Sequence, residues 1–187
     1  RTEGRPIGAL YSIPFAGLTE EGLPTFYIDA EHTQVVGPGN YADIYFQEYE
    51  NIDYLKYEGT IDPKITGSFG NTFSWKGLKL NVFFTYSFGN VLRLDNLCPV
   101  YSSDYSDLTA SMKEMKNRWM VPGDENITTI PSIPTVRQMR EIDALNNAYS
   151  AYNYSTERVA KGDFIRLKEL SLAYDLPKKY FEGQNAV

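Results

Sequence analysis

Residues Ile65 to Phe88 constrain this chain more than any other part of it. From Ile65 to Trp75 the odd positions read Ile65, Gly67, Phe69, Asn71, Phe73 and Trp75, alternating with Thr66, Ser68, Gly70, Thr72 and Ser74. After Lys76-Gly77 the parity inverts, and Leu78, Leu80, Val82, Phe84, Tyr86 and Phe88 become the apolar set. A period of two is the signature of a strand with two unlike faces. Treating Lys76-Gly77 as a two-residue hairpin loop, with glycine supplying a positive φ, sets Trp75 opposite Leu78, Phe73 opposite Leu80, Phe69 opposite Phe84 and Ile65 opposite Phe88. Both apolar sets then fall on one side of the sheet, so turn and pattern specify the same register.

Alternation alone also suits a soluble β-sandwich. Three further features point to a membrane. Each strand is about eleven residues, against roughly 5–6 for a soluble strand and roughly 9–11 for a tilted membrane-spanning one. The apolar face carries no charge, where a Lys or Arg at mid-bilayer costs about 2–4 kcal/mol. The opposite face is mostly Ser, Thr, Gly and Asn, which suits a hydrated lumen, and Trp75, Tyr86 and Phe88 stand where interfacial aromatic girdles belong. The expected fold is all-β, a transmembrane antiparallel barrel of which this chain supplies about four strands.

Two more segments fit that scheme. Ile7, Ala9, Tyr11, Ile13 and Phe15 alternate within a strand expected over 7–17, although Pro14 interrupts it. Residues 164–176 set Leu170, Leu172, Tyr174 and Leu176 against Glu169, Ser171, Ala173 and Asp175. Arg166 and Lys168 share the apolar parity near its start, which places that end at the membrane rim. The connections alternate between a two-residue turn and long segments, 18–64 and 89–163. Barrels of the outer membrane have short periplasmic turns and long extracellular loops, so both long segments are expected outside the cell. The second is expected to hold a short helix from about Asp107 to Trp119, where Leu108, Met112, Met115 and Trp119 recur at helical spacing.

Composition sharpens what is excluded. With 15 Tyr, 10 Phe and 2 Trp beside 14 Gly and 10 Pro, the chain favours strands and turns over helical bundles. A formal net charge of −6 argues against a nucleic-acid partner. Cys98 and His32, each the only residue of its type, make neither a disulfide nor a metal site. Asp104, Asp107, Asp124 and Glu125 read as solvated loop acids rather than a calcium site. No phosphate loop, nucleophile elbow or catalytic triad is present, so neither an enzyme nor a resident cofactor is expected.

The wording of several blocks is similar to a known family. Glu3-Gly4-Arg5-Pro6-Ile7-Gly8, Phe15-Ala16-Gly17-Leu18 and Asp62-Pro63-Lys64-Ile65-Thr66-Gly67-Ser68-Phe69-Gly70-Asn71 resemble the later barrel of SusC/RagA-type TonB-linked outer-membrane proteins. So do Arg118-Trp119 with Pro122-Gly123-Asp124, and Gly162-Asp163-Phe164-Ile165-Arg166-Leu167-Lys168 leading to Leu172-Ala173-Tyr174-Asp175-Leu176-Pro177. The resemblance implies a barrel of roughly 22 strands with an N-terminal plug, located in the cell outer membrane and energised by the TonB complex. It implies import of oligosaccharides or peptides in Bacteroidetes-type bacteria, with a SusD-like surface lipoprotein as partner. Plug and TonB box would lie upstream, and further strands would follow Pro177. Tyr101, Tyr105, Trp119, Tyr149, Tyr152 and Tyr154 are candidates for contact with substrate or lipoprotein. The competing readings are a soluble β-rich ligand-binding module and a passive porin or adhesin barrel without a plug.

Overall fold

The structure, a computed structural model, describes residues 4–44, 53–97 and 113–176. In chain order the strands are β1 (Ala9–Ser12), β2 (Phe15–Leu18), β3 (Pro24–Tyr27), β4 (Val35–Val36), β5 (Lys56–Thr60), β6 (Ile65–Trp75), β7 (Leu78–Phe88), β8 (Val91–Arg93), β9 (Val159–Lys161) and β10 (Phe164–Tyr174). Two helices, α1 (Val136–Glu141) and α2 (Leu145–Asn153), precede β9. The chain divides into two units, one from residues 61–90 with 161 onward and the other from 1–60 with 91–160.

The unit of long strands is an antiparallel sheet in the order β10-β7-β6. The β6–β7 pairs are those the alternation demands, from Ile65 opposite Phe88 to Trp75 opposite Leu78 without a slip. Lys76 (φ 48°) and Gly77 (φ 86°) both occupy the left-handed region. That is the requirement of the tight hairpin turn whose twist matches its strands. The Lys76 ammonium lies 4.9 Å from the centre of the Trp75 ring. Asp175 N–H donates to the Gly77 carbonyl at 2.7 Å, tying the turn to the end of β10.

Two glycines that interrupt the pattern have steric reasons. A Cβ on Gly67 would lie within 3 Å of the Tyr86 phenol, and one on Gly70 would be 2.8 Å from Phe83. Each glycine lets the aromatic ring opposite it lie down across β6, a covering that also makes up for the packing glycine lacks.

The third strand departs from strict alternation. A β-bulge falls between Leu167 and Glu169, so that Leu167 faces Phe84, Glu169 faces Phe83, and Lys168 is the extra residue. The bulge inverts the parity of everything before it. Arg166 lies opposite Thr85 on the polar face, while Ile165 and Leu167 join the apolar one. The expectation that Arg166 shares the apolar side is therefore corrected: one inserted residue moves it across the sheet. The apolar face now reads in rows, Trp75-Leu78-Tyr174, Phe73-Leu80-Leu172, Asn71-Val82-Leu170 and Phe69-Phe84-Leu167. No described strand pairs with the outer edge of β6 or β10.

The other unit is built from what the sequence presents as one strand and two loops. Instead of a single strand over 7–17, β1 pairs with β5 and β2 pairs with β3. Pro14 supplies no N–H between them, and Ile13 makes an isolated parallel bridge to Ser155 and enters the core at 4 % exposure. That core joins Leu23, Phe26, Val36, Tyr41 and Ile44 from the first long segment to Leu97, Met115, Leu145, Tyr149 and Tyr152 from the second. The helix expected over 107–119 is replaced, in its described part, by a 3-10 turn at Lys113–Asn117, and residues 107–112 lie outside the described residues. α1 starts on a reciprocal cap between Thr135 and Gln138. No described helix is long and apolar enough to cross a membrane, a fact that leaves β-barrels untouched.

Lys168→Ala keeps the bulge, whereas deleting Lys168 removes the extra residue and turns Glu169–Phe83, Leu167–Phe84 and Arg166–Thr85 into one regular ladder with Arg166 still on the polar face. In a complete protein purified in detergent, neither variant should therefore lower the thermal midpoint of β-sheet loss. A clear drop in the deletion alone would show that the bulged backbone is needed for more than the parity it sets.

Candidate functional site

The predicted contact residues separate into distinct environments. Tyr101 and Tyr105 lie outside the described residues. Tyr149 and Tyr152 project from α2 into the core at 5 % and 1 % exposure, and the Tyr149 hydroxyl donates to the Ser132 carbonyl at 2.7 Å. Their rings are enclosed by protein because Leu145, Ala148, Tyr149 and Tyr152 form the buried face of α2. Tyr154 stands 48 % exposed, with the Arg93 guanidinium 5.3 Å from its ring centre. Trp119 is half-buried.

Trp119 opens a closed loop. Its backbone N–H donates to the Ile130 carbonyl at 2.9 Å, and Thr128 Oγ1 donates to the Asn117 carbonyl at 2.6 Å. Inside, Asp124 Oδ2 accepts the N–H groups of Met120 and Val121 at 2.9 and 3.0 Å. Glu125 Oε2 accepts the Trp119 indole N–H at 3.1 Å and the Gly123 N–H at 2.8 Å. Its own backbone N–H, then Trp119 and Gly123, hold the Glu125 carboxyl below its ordinary value. The two acids that might have suggested calcium are thus occupied as turn acceptors. Met120, Val121 and Ile127 point outward at 61 %, 58 % and 83 % exposure. The indole rests on Gly22 so closely that a Cβ there would lie 2.4 Å from it, and Ser132 N–H donates to the Gly22 carbonyl at 2.9 Å.

Two arginines staple this unit. Arg93 donates to the carbonyls of Tyr11 and Asn153 at 2.5 and 3.5 Å, and desolvation lowers its pKa. Arg158, 3 % exposed, donates to Glu114 and to the Asp95 carbonyl, both at 2.5 Å. Asp29 forms a separate surface turn. The Thr33 hydroxyl, with the N–H groups of Thr33 and Gln34, draws its pKa from 3.8 down to about 2. Among the described residues no group of His, Cys, Asp and Glu is placed to hold a metal.

The long-strand sheet offers the other candidate surface. Its polar face carries a network in which Thr72 Oγ1 donates to Asn81 Oδ1 at 3.0 Å and Asn81 Nδ2 donates to Glu169 Oε1 at 2.6 Å. Ser171 also donates to Glu169, at 3.3 Å. Its apolar face leaves Phe69, Phe73, Trp75, Leu170 and Leu172 between 58 % and 70 % exposed. One face is built for water and the other for an apolar medium.

A sheet with faces so divided needs different surroundings on its two sides, and comparison with known proteins narrows what these are. No protein-family model matches the chain. TonB-dependent receptor P3 of Formosa agariphila is 28% identical over 185 residues, covering 95% of this chain and 16% of the receptor. TonB-dependent receptor P39 of the same bacterium is 28% identical over 139 residues, covering 71% of this chain and 12% of the receptor. Two solved structures of the RagAB peptide importer share the fold. The open-open state gives a TM-score of 0.52 at 23% identity over 100% of this chain and 19% of the matched chain. The closed-closed state gives 0.53 at 24% identity, over 95% and 17%. The chain therefore resembles a segment of a SusC/RagA-type TonB-dependent receptor along nearly its whole length, and spans about a sixth of the first of those relatives.

Glu125→Gln removes the carboxylate charge that the loop N–H groups stabilise. Deuterium uptake across residues 119–130 should rise at neutral pH. Because the folded pKa of Glu125 is lowered, its contribution is present above the ordinary value of 4.5 and lost as pH falls below it, so the native loop should loosen in acid. Unchanged uptake in the variant would leave loop closure to the Trp119–Ile130 and Thr128–Asn117 bonds.

Proposed function

We propose that this chain is part of the barrel wall and extracellular region of a TonB-dependent outer-membrane transporter. In this reading the apolar face of β6, β7 and β10 meets lipid, the polar face lines the lumen, and both long connections lie outside the cell. The observation that carries it is the apolar strip itself, whose paired rows from Trp75-Leu78-Tyr174 to Phe69-Phe84-Leu167 hold no charged residue. Trp75 and Tyr174 close the strip at the turn end, and Tyr86 and Phe88, stacked at 5.6 Å, close it at the other. That is the placement of interfacial girdles. A soluble module would expose this face to water, beyond the few hundred Å² that soluble monomers tolerate.

The complete protein, on this reading, imports an oligosaccharide or peptide with a SusD-like lipoprotein as partner and the TonB complex as energy source. The solved relatives are peptide importers, which favours peptide between the two cargo classes. Trp119 and Tyr154 are the proposed aromatic contacts for solute or lipoprotein, since their rings retain access, whereas Tyr149 and Tyr152 serve the core. No catalytic step belongs to this proposal.

Single cysteines in the complete protein test the facing. Labels at Phe73 and Phe84 should report a lipid environment, and labels at Thr72 and Thr85 should be reached by membrane-impermeant thiol reagents. The reverse pattern would refute the orientation of the sheet.

A further inference from the structure

The bulge in β10 does more than clear a charge from the apolar face. It delivers Arg166 to a defined place on the polar one. Arg166 lies opposite Thr85, which lies opposite Ser68, so its row across the sheet offers only small hydroxyls beside the guanidinium. The Arg166 guanidinium stands 5.0 Å from the ring centre of Phe164, two residues away along the strand. The neighbouring row is Glu169, Phe83 and Gly70, and Phe83 lies across Gly70.

Two other charges on this sheet have partners, while Lys168, the extra residue of the bulge, has no ion-pair partner among the described residues. Lys79 pairs with Asp175 at 2.8 Å, and Glu169 accepts from Asn81 and Ser171. Among the described residues, Arg166 has no carboxylate within ion-pair distance. Bulges recur beside binding sites because one extra residue re-aims a side chain that regular pairing would send elsewhere. A guanidinium presents paired N–H groups that match a carboxylate's two oxygens.

We propose that Arg166 is a carboxylate-binding residue on the lumen wall. It takes an anionic group of the passing solute, with the Phe164 and Phe83 rings flanking it as apolar surface. The inference rests on the proposed reading of the polar face as lumen. The carboxylate has two conceivable sources, the solute or another part of the same polypeptide, and only the first makes a site.

Charge-selective labelling separates them. Thr85→Cys is introduced into the complete receptor, with other reactive thiols removed and the protein kept in outer membranes. It is treated with methanethiosulfonate reagents of similar size, one bearing a sulfonate and one a trimethylammonium group. Any effect of Arg166 on the thiol's own ionisation cancels in the ratio of the two rates. Relative to the ratio on free cysteine, the anionic reagent should be favoured about tenfold, as expected for one unit charge roughly 6 Å away in water acting on probes of opposite sign. Arg166→Gln should bring the ratio near one, Arg166→Lys should keep most of it, and millimolar benzoate should slow labelling only when residue 166 is cationic.

A ratio near one in the parent protein would mean that the polypeptide itself neutralises Arg166, and would overturn the proposal even if Arg166→Gln fails to assemble. So would a bias that survives in Arg166→Gln, or the absence of benzoate protection. Labelling by neither reagent would remove the lumen reading instead, and this site with it.

Discussion

The sheet depends on one constraint: no paired row on the face opposite the hydroxyls holds a charged residue. Regular pairing satisfies it through β6 and β7, where every large apolar residue from Ile65 to Phe88 except Phe83 keeps its parity across the Lys76-Gly77 turn. β10 cannot satisfy it by regular pairing, because Arg166 and Lys168 fall in phase with Leu170 and Leu172. The bulge sacrifices about one ladder hydrogen bond, worth roughly 0.5–1.5 kcal/mol net. An arginine left at the apolar midplane would cost about 2–4 kcal/mol. The irregular strand is the cheaper solution, and it also reconciles the sequence of β10 with the turn that Asp175 holds.

The second unit answers to a different solvent. Its irregular backbone leaves many carbonyls without a ladder partner, and buried backbone groups demand one. Tyrosine is the residue that meets this need while filling volume. Tyr41 donates to the Pro24 carbonyl at 2.8 Å, and burial pushes its phenol pKa up. Tyr149 does the same for Ser132, and Asn153 accepts the Leu97 N–H at 3.0 Å. The arginines extend the pattern, since Arg93 binds the carbonyls of Tyr11 and Asn153, and Arg158 binds the Asp95 carbonyl together with the Glu114 carboxylate. The high tyrosine content therefore includes a structural use away from the sheet.

What was legible in the sequence was local. The β6–β7 register followed from alternation and a two-residue turn, because both strands and their connection sit in one continuous stretch. The bulge was not legible as such, since a single inserted residue leaves no compositional mark. Its trace is the pair of charges in the apolar phase, Arg166 and Lys168, which alternation alone assigns to the membrane rim. The strand over 7–17 failed because alternation reports two unlike faces and cannot say whether the apolar one meets lipid or a protein core. Pro14 was the correct warning. α2 was missed although Leu145, Ala148, Tyr149 and Tyr152 carry a helical period, because Asn and Ser between them are weak helix formers. That period also assigns Tyr149 and Tyr152 to the core, the alternative to solute or partner contact for loop aromatics.

Exposure cannot tell the two faces of the sheet apart, since β6 and β10 are open on both. Chemistry can. A Phe or Leu left in water forgoes roughly 1.5–3 kcal/mol of burial. Phe69, Phe73, Trp75, Leu170 and Leu172 together would then forgo an amount comparable with the whole stability of a typical domain, roughly 5–15 kcal/mol. Water is therefore not the natural medium of that face. The opposite face carries Glu169 and Arg166 on adjacent rows, with hydrogen bonds running from Thr72 through Asn81 to Glu169, so lipid is not its medium either. The barrel proposed above would meet these demands, giving the sheet an apolar medium on one side, water on the other and a neighbour at each open edge of β6 and β10.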